Sequence, residues 1–85
     1  MLLPSSEFNK RFKKLSKKMQ QKVLDRLDIF EADKFDEILD NHKLTGEYEG
    51  CRSIDITGNV RVIYEEIKEG VYVLVSVGTH TQLYG

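Results

Sequence analysis

Five side chains from position 42 onward have the types and spacing to move protons and hold an anion: His42, Arg52, Arg61, His80 and Tyr84. His80 follows Gly78-Thr79 at the end of an apolar run, and Tyr84 comes four residues later. Imidazole is the one side chain whose ordinary titration lies near neutrality, so a histidine held at the end of a rigid strand can serve as a general acid or base. A phenol nearby offers a second proton donor or an aromatic face. The bland reading of the same residues is a polar cap and a core aromatic. Arg52 and Arg61 lie within alternating strand patterns, where a guanidinium needs a carboxylate or phosphate partner because burying it unpaired is costly. A salt bridge to Asp55, Glu65 or Glu66 and an anion-binding role both remain open. His42 lies in the polar segment Asn41-His42-Lys43-Leu44-Thr45-Gly46, where a solvated loop histidine is the alternative to a functional one.

The elements that must hold these residues can be read from hydrophobic period. Ser5 and Ser6 are N-cap candidates, with Glu7 suited to the positive end of a helix. Phe8, Phe12 and Leu15 then recur at helical spacing. A second helix is expected from about Lys18 to Ala32, burying Met19, Val23, Leu27 and Phe30, after a short connection at Leu15-Ser16-Lys17. Phe35, Ile38 and Leu39 predict a further turn or two. From Gly50 the period becomes two. Arg52, Ile54 and Ile56 share one strand face, and Cys51, Ser53 and Asp55 the other. Thr57-Gly58-Asn59 and Lys68-Glu69-Gly70 read as turns around strands Val60–Glu65 and Val71–Val77. The nearly continuous apolarity of the last strand predicts a place inside the sheet. Met1–Leu3 is a candidate edge strand. The expected fold is α+β: two N-terminal helices packed on a small antiparallel meander sheet, as one domain over residues 1–85.

Composition narrows the classes. Eighty-five residues, 40% hydrophobic and 32% charged, describe a small globular chain, burying roughly 60–65% of its unfolded surface. No apolar run approaches the roughly 18 residues of a membrane helix, and Met1-Leu2-Leu3-Pro4 is too short for a signal-peptide core. No membrane partner and a cytoplasmic location are therefore expected. Cys51 is the only cysteine and the two histidines have no metal-ligand spacing, so neither metal nor cofactor is expected. The net charge of −1 hides a segregation: Lys10, Arg11, Lys13, Lys14, Lys17, Lys18, Lys22 and Arg26 face one acid, Asp25, within their span. Such a run is commonly the wet side of amphipathic helices. Its functional reading is attraction to a phosphate backbone.

Taken in order, His42-Lys43-Leu44-Thr45-Gly46, Gly50-Cys51-Arg52, Arg61-Val62-Ile63-Tyr64, and Gly78-Thr79-His80 with Leu83-Tyr84-Gly85 resemble the H-x-L-x-G, G-x-R, R-x-I-Y and G-T-H-x-x-L-[FY] succession of the RelE/ParE toxin superfamily, in its YafQ branch. With the N-terminal helix pair, the resemblance covers essentially the whole chain. It implies the toxin of a type II toxin–antitoxin module: an endoribonuclease, or mRNA interferase, that cleaves mRNA in the ribosomal decoding site and causes growth arrest. It also implies a cognate antitoxin, and a toxin–antitoxin hetero-oligomer that binds operator DNA. Carried over by position, His80 matches the C-terminal catalytic histidine, Tyr84 the aromatic after it and His42 the histidine before the sheet. Arg52 and Arg61 match the two arginines. Lys10, Lys13, Lys14, Lys17, Lys18 and Lys22 would meet RNA or ribosomal phosphates. The pattern departs at the first hairpin, where Asp55, Asn59 and Val60 stand in place of a histidine and an Asp-Trp pair. Alternatives within the superfamily are a ParE-like gyrase inhibitor and an inactive, antitoxin-binding homologue.

Overall fold

The computed structural model describes residues 1–85. Strand β1 (Leu2–Pro4) leads into helices α1 (Ser6–Lys13) and α2 (Lys17–Ala32). A 3-10 turn at Glu37–Leu39 precedes the two-residue strand β2 (His42–Lys43), and a second at Gly46–Tyr48 precedes β3 (Arg52–Asp55). Strands β4 (Val60–Lys68) and β5 (Val71–Thr79) follow, and a short helix α3 (His80–Tyr84) ends the order. No helix is long and apolar enough to cross a membrane.

Helix boundaries follow their caps. The Ser5 hydroxyl accepts from the Phe8 N–H at 3.0 Å, and the Ser16 hydroxyl from the Met19 N–H at 3.1 Å. Each satisfies an otherwise orphaned donor of the first turn. Ser5 also donates to the Val75 carbonyl at 2.8 Å, stitching the start of α1 to β5.

The sheet order is β1-β5-β4-β3-β2. The β2-to-β5 portion is the expected antiparallel meander, and β5 lies inside the sheet. β1 is an edge strand as the sequence indicates, but it pairs parallel to β5, with Leu2 opposite Tyr72 and Pro4 opposite Leu74. Proline, which lacks a ladder donor, is tolerated at such an edge. His42 differs from its expected loop setting: it is in β2, opposite Ser53.

The register of β4 on β5 slips between Ile63, opposite Ser76, and Tyr64, opposite Leu74, leaving Val75 as the extra residue of a bulge. This slip lets both Leu74 and Val77 join the core although they stand three positions apart. That core joins Phe8 of α1 and Val23, Leu27 and Phe30 of α2 to Ile54, Val62, Tyr64, Leu74 and Val77 of the sheet. Phe30 sits edge-on to Tyr64 at 4.7 Å and to Tyr72 at 4.9 Å between ring centres. On the alternate positions Ser53, Ile63 and Ser76 form one cross-strand row, all fully buried.

Candidate active site

His80 is the first residue of α3, and the sequence around it builds a firm mount. The Thr79 hydroxyl accepts from the Gln82 N–H at 3.2 Å while the Gln82 side-chain oxygen accepts from the Thr79 N–H at 2.8 Å, a reciprocal capping box. The His80 N–H donates to the Asn59 carbonyl at 3.2 Å, tying α3 to the β3–β4 turn. Leu83 anchors the helix from its buried side. One helical turn brings Tyr84 beside the histidine, with ring centres 4.7 Å apart and planes at 60°. Tyr84 in turn meets Tyr48 edge-on at 5.9 Å. Burial, reinforced by nearby Glu7 and Glu47, raises the Tyr48 phenol above its ordinary value, so it stays neutral. The His80 imidazole is exposed.

His42 is oriented from both ring nitrogens. Its Nδ1 is 2.8 Å from the Asp40 carbonyl oxygen and its Nε2 is 3.2 Å from the Ser53 hydroxyl. A carbonyl can only accept, so Nδ1 carries the proton, and in the neutral ring Nε2 presents its lone pair to the Ser53 O–H. This is the tautomer a general base at Nε2 requires.

Arg61 projects from β4 with Nε 3.1 Å from Asp55 Oδ1 on the neighbouring strand, both groups about three-quarters buried. This realises the salt bridge foreseen as one option for Arg61. The contact is not aligned as a hydrogen bond, and Asp55 Oδ1 is left buried without one. The pair therefore fixes the arginine by charge through Nε, not through its terminal nitrogens.

Four of the five chemistry-bearing residues meet. His42, Arg61, His80 and Tyr84, with Leu44 and Thr45, line one open cleft of about 330 Å³. Arg52, expected among the catalytic residues, does not join them. It stands opposite Tyr64 on β4, a residue whose ring packs on Phe30, so it belongs to the helix-covered face. There its Nε donates to Asn41 Oδ1 at 2.7 Å and its guanidinium lies 5.4 Å from the Phe35 ring centre. The Asn41 amide nitrogen donates to the Tyr64 hydroxyl at 2.7 Å and to the Lys34 carbonyl at 2.8 Å. Arg52 is thus part of a hydrogen-bonded brace at the approach to β2. The thiol of Cys51, just before β3, is raised by burial and then by Glu65, which keeps it protonated and poorly nucleophilic.

The six lysines spread out. Lys10 and Lys14 line a groove between α1 and α3, and Lys13 lies beside them on α1. Lys17 and Lys18 are exposed in the first turn of α2, where no acid offsets the positive end of the helix. Lys22 lies with Asp25 and Arg26 near Thr57. No group of three or more His, Cys, Asp or Glu side chains is placed to hold a metal.

Sequence reasoning passed over Ser53, Asn41 and Tyr48. Ser53 was assigned to the correct strand face, but nothing in its spacing marks a histidine partner eleven residues away. Asn41 and Tyr48 act through side-chain contacts that cross between elements, and hydrophobic period carries no record of those.

Comparison with known proteins places the architecture. The family described as bacterial toxin of type II toxin–antitoxin system, YafQ, matches residues 2–85. The fold is similar to the crystal structure of YafQ from E. coli, with a TM-score of 0.84 at 18% identity, covering 100% of this chain and 98% of that one. It is similar to a chain of the E. coli DinJ–YafQ toxin–antitoxin complex, with a TM-score of 0.77 at 21% identity and coverage of 100% and 97%. A chain of the YoeB–YefM complex from Staphylococcus aureus gives 0.77 at 20%, with 94% and 95% covered. Among curated proteins, no relative matches.

Proposed function

Because the chain belongs to the YafQ family of bacterial type II toxin–antitoxin toxins, we propose that it is an mRNA interferase whose single toxin domain cuts mRNA in the ribosomal decoding site. The observation that carries this reading is the meeting of two histidines, an arginine and a tyrosine in one open cleft, from three separate elements. Cleavage by the RNA's own 2′-hydroxyl needs such a set. The 2′-oxygen forms a bond to the adjacent phosphorus as the bond to the 5′-oxygen breaks, leaving a 2′,3′-cyclic phosphate and a 5′-hydroxyl. A base must take the 2′ proton, an acid must supply one to the departing 5′-oxygen, and a cation must stabilise the crowded phosphate.

His42 is suited to be the base, since its Nδ1–H is committed to Asp40 and Nε2 has only the Ser53 hydroxyl to exchange for the 2′-hydroxyl. His80, exposed at the start of α3, is the acid. Arg61 meets the phosphate oxygens through its terminal nitrogens. Tyr84 offers a stacking face for an unstacked base, or a proton to relay. Lys13, Lys17, Lys18 and Lys22 supply sequence-independent attraction to ribosomal phosphates. The solved DinJ–YafQ toxin–antitoxin complex supports a cognate antitoxin partner; in this reading the antitoxin restrains the site and the joint complex binds operator DNA. Ribosome dependence puts the working protein in the cytoplasm.

The test is primer-extension mapping of mRNA in a translating extract. Cuts in register with codons, seen only when ribosomes engage the message, are expected. Absence of cuts from folded protein, together with altered DNA supercoiling in a gyrase assay, would overturn the nuclease reading in favour of a gyrase inhibitor.

A further inference from the structure

We propose that the groove between α1 and α3 is a second phosphate subsite for the substrate RNA, adjoining the cleft, with Arg11 as its principal contact. The inference rests on the nuclease reading above and assigns to one arginine a role that the basic run as a whole does not specify.

The groove encloses about 550 Å³, with Lys10, Arg11 and Lys14 on one wall and Val77 and Gln82 on the other. Its position is the first argument. Gly78 on β5 pairs directly with Arg61 on β4, so the two share a sheet face. A side chain at Gly78 would lie 3.5 Å from Arg11 Nη1 and 2.8 Å from the Gln82 side-chain oxygen. The guanidinium of α1 therefore overhangs the backbone position next to the cleft's own arginine, and the lack of a side chain there makes room for the Gln82 oxygen beside it.

The second argument is the geometry of α3. Residues two apart on a helix lie about 200° apart around its axis. His80 and Tyr84 face the cleft while Gln82 faces the groove, making α3 a low ridge with a cationic trough on each side. An RNA strand crossing that ridge would present one phosphate to Arg61 and His80 and a neighbouring one to Arg11.

The third is the state of the polar groups. The Gln82 oxygen is held by the Thr79 N–H, which leaves its amide nitrogen as a donor toward the groove. Glu7 is the only acid lining the groove and lies 3.6 Å from Arg11 Nε, with both side chains substantially exposed. Exposed pairs of this kind are worth only about 0–1 kcal/mol, so a phosphate, which accepts a bidentate arginine, can displace the carboxylate.

The experiment measures binding of a short, uniformly 2′-O-methylated single-stranded RNA, which cannot be cleaved, across a salt series. Arg11→Gln is expected to weaken binding about five- to tenfold and to lower the slope of log affinity against log salt by about 0.7, the value for one phosphate contact on a single strand. Lys68→Gln, an equal charge change at the far end of β4, should alter neither. Equal effects of the two substitutions, or no binding by the unaltered protein, would overturn the subsite. Cleavage mapping of the same proteins separates the two readings. Arg11-dependent binding without any cuts removes the nuclease and leaves the groove. Cuts that Arg11→Gln leaves unchanged, with unchanged binding, remove the groove and leave the nuclease.

Discussion

Replacing His80 with alanine is expected to slow mRNA cleavage by about 10²–10⁴-fold, the range for losing a general acid, and to abolish growth arrest while leaving the fold intact. The imidazole is exposed and makes no hydrogen bond through its ring, so its removal opens no cavity. The mount is built from other groups: the Thr79–Gln82 capping box, the His80 backbone N–H to Asn59, and buried Leu83. Alanine is also the best helix former. Primer extension in a translating extract reads the cleavage, and thermal denaturation reads the fold. Undiminished growth arrest from a soluble, normally folded variant would end the assignment of His80. A glutamine at the same position keeps some polarity but cannot exchange a proton near neutrality, so it should be nearly as inactive.

Phe30→Ala should have the largest effect on stability, about 3–5 kcal/mol for a buried phenylalanine. Small domains have only about 5–15 kcal/mol in hand. Each kcal/mol moves the melting temperature of a domain this size by about 4–8 °C. Phe30 is only 2% exposed and wedges its ring between Tyr64 and Tyr72, which joins α2 to β4 and β5. Loosening Tyr64 also frees its hydroxyl from Asn41, and with it the brace that holds Arg52 and the approach to His42. Loss of activity would here follow loss of structure, the reverse of the His80 result. Urea denaturation gives the answer, and a cost under about 1 kcal/mol would show that the site can collapse onto the missing ring.

Much of this arrangement is legible in the sequence because local chemistry and global fold agree. Ser5 and Ser16 stand where helix caps are needed, and Phe8, Val23, Leu27 and Phe30 keep helical period. Arg52 shows where legibility stops. Its parity with Ile54 and Ile56 correctly put it on the core-facing side of β3, yet its partner is an amide, Asn41, rather than any carboxylate or phosphate. For Arg61 the partner was among the foreseen carboxylates, since Asp55 lies directly opposite across the hairpin. The parallel pairing of β1 was hidden because three residues carry no signal of direction. The bulge at Val75 was hidden because an apolar run on both faces looks the same in either register. Resemblance contributed what period could not: it linked His42 to His80 across 38 positions, and the cleft brings the two together.

The stitching of β1 and Ser5 to β5 sets an order of events during synthesis. Ser5 and the Val75 carbonyl it grips are separated by 70 positions, and such non-local closure comes late because loop entropy opposes it. The helices can form as they emerge, but β1 waits as an unpaired edge until Val71–Thr79 has been made. His80 follows directly on that strand. A fragment ending at Gly70 should therefore show helical signal with the Ser5 amide, which donates to the Leu74 carbonyl in the whole chain, left unprotected, and strong hydrogen-exchange protection of that amide would contradict this order. Under the proposed function, cleavage must await closure of the sheet, because the strand that completes it runs directly into His80.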